Sequence, residues 1–281
     1  MAETDKHYWL LSDTSGIEQT LDPSKQRHLP ASAAWGWLAH GWRDLWNGAG
    51  SSLLYGALVF VVSLAIVYIM FTMGWDYVLF PALAGFMIVG PVIAVGLYQK
   101  SRMLEQGDRP RLDQMLIIRS GSAGQITFLG VLLMLLVLLW MRAAVLIYAL
   151  FFGYRAFPGI DHLIPVLIGT PQGWGMLVVG SFVGGLFAAF GFAISAFSVP
   201  MLLARRVDAV TAMGTSLKFV WNNAGVMIAW GAIVTVLFAI SIATALVGLV
   251  IIFPLLGHAT WHAYRAIVEG AGAQRPRDLE G

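Results

Sequence analysis

Apolar residues in this chain come in long unbroken runs, not in the alternating or one-faced patterns of water-soluble elements. Runs free of Asp, Glu and Lys cover roughly 52–73, 78–98, 125–151, 174–203, 225–243 and 246–266. A helix rises about 1.5 Å per residue and a bilayer's hydrocarbon core is about 30 Å thick, so runs of about twenty residues predict six transmembrane helices. The fifth and sixth are separated only by the small-residue stretch "SIATALVG". Their combined length is far too great for one crossing, so the pattern predicts a turn there. The segment "FPGIDHLIPVLIGTP" between the third and fourth runs is too short and too proline-broken to cross, and is expected to lie as an interfacial cap on the outer face. Residues 1–30 and 269–281 read as polar tails around a membrane domain over 31–268.

A spacing recurs along these runs. An Ala-Gly pair followed by Gly six positions after its own Gly opens each odd-numbered span: Ala49-Gly50 to Gly56, Ala123-Gly124 to Gly130, and Ala224-Gly225 to Gly231. The even-numbered spans carry Pro91, Pro200 and Pro254 towards their expected cytoplasmic halves, where proline predicts a kink or an unwound turn. Three copies of a helix hairpin follow as the plan, stacked about an axis along the membrane normal because each copy holds two spans. Each copy is preceded by a one-sided stretch expected to lie as an amphipathic helix in the headgroup plane. Trp35, Leu38, Trp42, Leu45 and Trp46 form that face in the first, against Arg43, Asp44 and Asn47. Val207, Val210, Leu217, Val220 and Trp221 form it in the third, and Leu112, Met115 and Leu116 in the shorter second. The fold class is therefore all-α and polytopic.

Composition sharpens this. With 58% hydrophobic and 11% charged residues the chain lies outside the range of soluble domains, and the formal charge of +2 is too small to suggest nucleic acid. If both termini are cytoplasmic, all of the 17 basic residues except Arg142 and Arg155 fall on the inner side, which fixes the expected orientation. The absence of cysteine excludes disulfides, thiolate nucleophiles and cysteine-held metal. No zinc-protease, nucleophile-elbow or phosphate-loop motif is present, so the sequence points away from an enzyme. Span interiors without Asp or Glu argue against a carboxylate relay for coupled transport.

Few residues carry candidate chemistry. In the fourth span Gly180, Gly184 and Ala188 repeat every four positions beside Ser181, Gly185, Ala189 and Ala193, which marks a close-packed seam or a pore lining. Arg142, near the outer boundary of the third span, either snorkels to the headgroups or pairs with Asp76 or Asp161 as an anion contact. "GHATWHAYR" (257–265) places His258 and His262 one turn apart beside Trp261 and Arg265. Counted from the prolines, Trp261 matches Tyr98 and Arg265 matches Arg102, an expected interface belt with its anchor. His258 instead matches Val95 and Ala204, so it calls for a reason of its own. Either it is a neutral ring bonded to a backbone carbonyl that a proline frees, or it joins His262 in a ligand-, proton- or metal-binding site.

"HGWRDLWNGAGSSLLYG", "FPALAGFMIVGPVIAVGLYQKSRMLEQGDRP", "VDAVTAMGTSLKFVWNNAGVM" and "PLLGHATWHAYRAIV" together resemble a family of bacterial integral inner-membrane proteins catalogued as domain of unknown function 2189, over roughly residues 35–268. The resemblance implies the six-span fold and an inner-membrane location, and brings no substrate with it. Some relatives carry the label cytochrome c oxidase subunit I. This chain lacks the set of intramembrane histidines that haem and copper ligation there requires. Two functional readings follow. One is a non-enzymatic protein that binds or passes a small molecule or lipid, or acts structurally, without cofactor. The other is an accessory redox protein holding haem or a metal ion through His258 and His262. The lipid bilayer is the partner in both; a protein partner or homo-oligomer is left open.

Overall fold

A computed structural model of the chain describes residues 29–108, 110–116, 123–153 and 159–269; most of both expected tails lies outside them. Among the described residues the chain forms twelve α-helices and no strand. They are α1 (Ala33–Trp46), α2 (Ala49–Thr72), α3 (Leu79–Ile93), α4 (Val95–Glu105), α5 (Leu112–Leu116), α6 (Ala123–Phe152), α7 (Ile160–Gly169), α8 (Pro171–Ser195), α9 (Ser198–Ala204), α10 (Ala209–Asn222), α11 (Ala224–Ala243) and α12 (Leu249–Tyr264). A π-helical turn, Arg265–Glu269, follows α12.

Among the described residues, five stretches are long and apolar enough to cross a membrane: α2, the α3–α4 stretch Leu79–Glu105, α6, the α8–α9 stretch Pro171–Ala204, and α11. Side chains such as Leu58, Val62, Leu135, Leu139 and Phe182 stand exposed along them, as lipid-facing positions do. The sixth expected span is shorter than its apolar run, because α12 has 16 residues, about 24 Å at 1.5 Å per residue. Its first residues go into the turn from α11. There Ala245 (φ 50) and Leu246 (φ 67) adopt left-handed conformations, and the Thr244 hydroxyl accepts from Gly248 N at 3.0 Å.

Pro91 lies inside α3, two residues before its end, and the backbone breaks at Ala94. The next break, at Ala196 and Phe197, comes before Pro200, which sits in the first turn of α9 where its missing N–H costs nothing. Pro254 lies within the unbroken α12, so the chain does not unwind there. The ring leaves the Val250 carbonyl without its helical donor. That carbonyl lies directly against Gly56 of α2, and a side chain on Gly56 would collide with it and with Pro254 Cγ. Helices α2 and α12 therefore cross in close contact at these three residues.

Helix α12 is the hub, packed on α1, α2 and α4, while α3, α6 and α8 pack on one another beside it. Phe86 of α3 stacks on Phe238 of α11 (5.5 Å between ring centroids) and tilts against Phe253 of α12 (5.9 Å), joining the two groups. Burial is densest at the end of the bundle that holds α1, α4, α9 and α10, where Leu97, Phe197, Leu202 and Ala259 are sealed. Tyr98 and Trp261, expected as an interface belt, belong to this core at 1% and 2% exposure. The correction has a plain cause: α1 covers the end of α12 that would otherwise meet the headgroups. Helix α1 divides its apolar residues between two sides. Ala34, Trp37, Gly41 and Leu45 are buried, whereas Trp35, Trp42 and Trp46 face outward.

Candidate functional site

Gly41 decides where α1 lies. A Cβ there would stand 2.6 Å from Ala259 N, so only glycine lets the two backbones approach this closely. The contact lowers Asp44, one turn further along α1, onto the face of α12 that carries both histidines. Gly48, with φ +72, then turns the chain into α2 and brings Ser52 in from the other side. Past the break at Ala94, α4 contributes Lys100 and Ser101. Four helices thus meet at one buried polar junction.

Its bonds form a series. Lys100 Nζ donates to Gly48 O (2.9 Å) and Ser52 Oγ (2.7 Å). Ser52 Oγ lies 2.9 Å from His258 Nε2, and His258 Nδ1 lies 2.8 Å from Ser101 Oγ. Ser101 Oγ donates to Asp44 Oδ2 (2.6 Å), which also receives His262 Nε2–H at 2.8 Å. An ammonium only donates and a carboxylate only accepts, so the two ends set the rest. Ser101 gives its proton to Asp44 and must accept from His258 Nδ1–H, which leaves His258 Nε2 to accept from Ser52. Ser52, Ser101 and His258 are fully buried and Lys100 is 1% exposed, yet each is satisfied. The series reaches the surface through Asp44 and His262, each 17% exposed, with Glu105 4.0 Å from His262 Nδ1 and 3.3 Å from Arg265 Nε. His40 of α1 lies 5.2 Å from the His262 ring. Burial pushes the Asp44 carboxyl up. Hydrogen bonds from His262 and Ser101 outweigh that and hold it below its ordinary value of 3.8.

Of the residues singled out in the sequence, His258, His262 and Arg265 come together here. Trp261 lies beside them in the core, packed on Tyr264 at 5.5 Å, and its Nε1 meets no hydrogen-bond partner among the described residues. Arg142 stands apart and exposed on α6; the side chains of Asp76 and Asp161, its expected partners, lie outside the described residues. No group of three or more His, Cys, Asp or Glu placed to hold a metal ion occurs among the described residues. A metal or haem iron on His258 would have to displace Ser52 or Ser101 from its ring.

Asp44, Ser52, Lys100, Ser101 and Glu105 were not legible as site residues, although the spacing that singles out His258 also marks two of them. Counted from the Ala-Gly pairs, Ser52 corresponds to Ile126 and Met227, and Asp44 to Ile118 and Phe219. Each is a polar exception at an otherwise apolar position.

A second feature lies between α6, α8 and α11. A cleft of about 1180 Å³ opens there, lined by Ala84, Trp140, Gly184, Ala188, Met227 and Gly231 among others. Trp140 is held in its wall: Nε1 donates to Pro81 O at 3.0 Å, and the ring lies so close to Gly184 that a Cβ there would stand 2.8 Å from Cη2. Gly180, Gly185 and Gly231 have no neighbouring atom within 4 Å of where a Cβ would point.

Residues 79–204 match the family described as "Predicted integral membrane protein (DUF2189)". No curated protein and no solved structure matches the chain. The protein is an integral membrane protein with several membrane-spanning helices, and the matched stretch runs from α3 to the end of α9.

Proposed function

We propose that this chain is a non-enzymatic protein of the bacterial inner membrane that binds an apolar small molecule or lipid acyl chain in the cleft between α6, α8 and α11. The cleft carries the reading. Its volume exceeds what most drug-sized ligands need, its wall is apolar, and small residues keep it open. The six-span, three-hairpin plan explains its position. Helix α12, continued by the π-helical turn, serves as the sixth crossing, and each hairpin meets the next at a seam. At one seam Gly41 abuts Ala259 and Gly56 abuts Pro254. At a second, Met115 and Gly130 hold the positions of Gly41 and Gly56, and meet Gly96 and Val92 on α4 and α3. By the proline count Gly96 corresponds to Ala259, so that contact recurs at both seams. At the third, Ser216 holds the position of Gly41. It bonds Ala193 O (2.7 Å) and Phe197 N (3.2 Å), well before the position that corresponds to Ala259. Gly231 meets nothing, and the seam stays open as the cleft.

The test is photolabelling of the protein in bilayers with a diazirine-bearing fatty acid, followed by peptide mapping. Label concentrated on 176–193 and 224–235, and lost in Gly231→Leu, is expected. Label spread evenly over exposed span faces and indifferent to Gly231→Leu would reject the cleft as a site. The orientation with both termini cytoplasmic rests on the Lys and Arg distribution. Reporters fused after Gln274 and within 158–162 should report opposite compartments; agreement between them would reject it.

A further inference from the structure

The polar junction has a direction, because a cation caps one end of the series and an anion the other. We propose that Lys100 is a buried proton-exchange site, served from the surface through the relay Asp44–Ser101–His258–Ser52. The relay is independent of the cleft and survives or fails separately from it.

Every element of a proton wire is present at hydrogen-bonding distance: 2.7 Å from Lys100 to Ser52, 2.9 Å to His258, 2.8 Å to Ser101 and 2.6 Å to Asp44. Each intermediate can take a proton on one side and release one on the other. When Lys100 Nζ gives a proton to Ser52 Oγ, Ser52 passes its own to His258 Nε2. His258 releases the Nδ1 proton to Ser101, and Ser101 releases its hydroxyl proton to Asp44 Oδ2. Lys100 ends as a neutral amine and Asp44 as a carboxylic acid, with no other change of atoms. The reversed series keeps every bond: Asp44 donates to Ser101, Ser101 to His258 Nδ1, His258 Nε2 to Ser52, and Ser52 to the Lys100 lone pair. A lock with a purely structural role needs only one polarity; this one is complete in both. The imidazole is the step that makes it reversible, since its two nitrogens exchange donor and acceptor roles by changing tautomer.

The two ends differ in exposure. Lys100 is 1% exposed, whereas the Asp44 and His262 side chains, hydrogen-bonded to each other, are each 17% exposed. The ionisable groups around the relay are Asp44 and His40 from α1, Lys100 and Glu105 from α4, and His258, His262 and Arg265 at the end of α12; α2 contributes only hydroxyls, Ser52 and, further along, Tyr55. Asp44 is the outlet because it bonds both Ser101 and the partly exposed His262.

Lys100 has only Lys6, Lys25 and Lys218 as companions, so its side-chain nitrogen is readily assigned by its loss in Lys100→Met. The full-length protein in lipid nanodiscs, labelled with 15N at lysine Nζ, gives the rate at which the Lys100 protons exchange with solvent. Backbone amide exchange along α4 gives the rate at which the helix itself opens. In the wild type, Lys100 exchange is expected to outrun α4 opening. In Ser101→Ala, with α4 protection retained, it should slow at least about tenfold, because exchange then waits on local opening; Ser101→Thr, which keeps the hydroxyl, should restore it. Wild-type exchange no faster than α4 opening overturns the proposal without recourse to any variant. So does an unchanged rate in a folded Ser101→Ala protein, which would mean that water reaches Lys100 directly.

Discussion

At the scale of single residues, the two histidines of "GHATWHAYR" differ in what depends on them. His258 is fully buried and supports a hydroxyl on each side, whereas His262 holds one carboxylate at a partly exposed position. His258→Ala is expected to cost about 2–4 kcal/mol, since it takes from Ser52 the acceptor of its hydroxyl proton and from Ser101 its donor, and each buried hydrogen-bonding group so deprived forfeits about 1–3 kcal/mol. His262→Ala should cost about 1 kcal/mol or less, the range of a partly solvated side-chain pair. Thermal unfolding of both variants in one detergent makes the comparison, and equal losses would contradict it. Asp44 adds a pH dependence whose sign follows from its lowered pKa. A depressed carboxyl stabilises the folded state fully above its unfolded value, and that contribution is lost as pH falls through the still lower folded value. The melting-temperature gap between wild type and Asp44→Asn should therefore stay constant from neutral pH to about pH 5 and shrink below about pH 4, the ordinary carboxylate range.

Among the elements, α1 shows how far hydrophobic patterning reaches. Its helical period and its tryptophans are plain in the sequence, and both suggest a helix lying free on the bilayer surface. What the pattern cannot carry is that Gly41 admits α12 and makes Trp37, Gly41 and Leu45 a second, inward face. Asp44 therefore read as part of a solvated face, and the junction it completes was hidden, since its other members are scattered over three helices at separations of up to about two hundred residues. Five of the six expected spans were legible because twenty apolar residues in a row admit few alternatives. The length of α12 was not, because apolar character does not distinguish the first turn of a helix from an apolar hairpin turn. A contrast within α1 tests this account. Gly36 has no neighbour within 4 Å, so Gly36→Ala should stabilise by about 1 kcal/mol through helix propensity alone. Gly41→Leu should destabilise by at least about 1–3 kcal/mol as it forces α1 off α12. Denaturation of the two variants under one condition gives both signs.

For the molecule as a whole, a chain without cysteine allows each seam to be probed by a single introduced thiol. Gly231→Cys should react readily with a lipophilic maleimide from within the bilayer, because nothing stands within 4 Å of its side-chain direction. Gly56→Cys, sealed by Val250 and Pro254, should react far more slowly or perturb the fold. Equal labelling of the two would mean that the third seam is no more open than the first. The hub position of α12 also bears on how the protein is made. Translation delivers α1, α2 and α4 to the membrane well before the segment carrying His258 leaves the ribosome. Until then Ser52, Lys100, Ser101 and Asp44 have no imidazole to link them, and the backbone seat at Gly41 is empty. The nascent chain carries an unfinished polar crevice until α12 arrives to close it. Closure of the junction thus waits on α12, and a chain that stops short of it leaves Ser52 and Ser101 without the ring that links them.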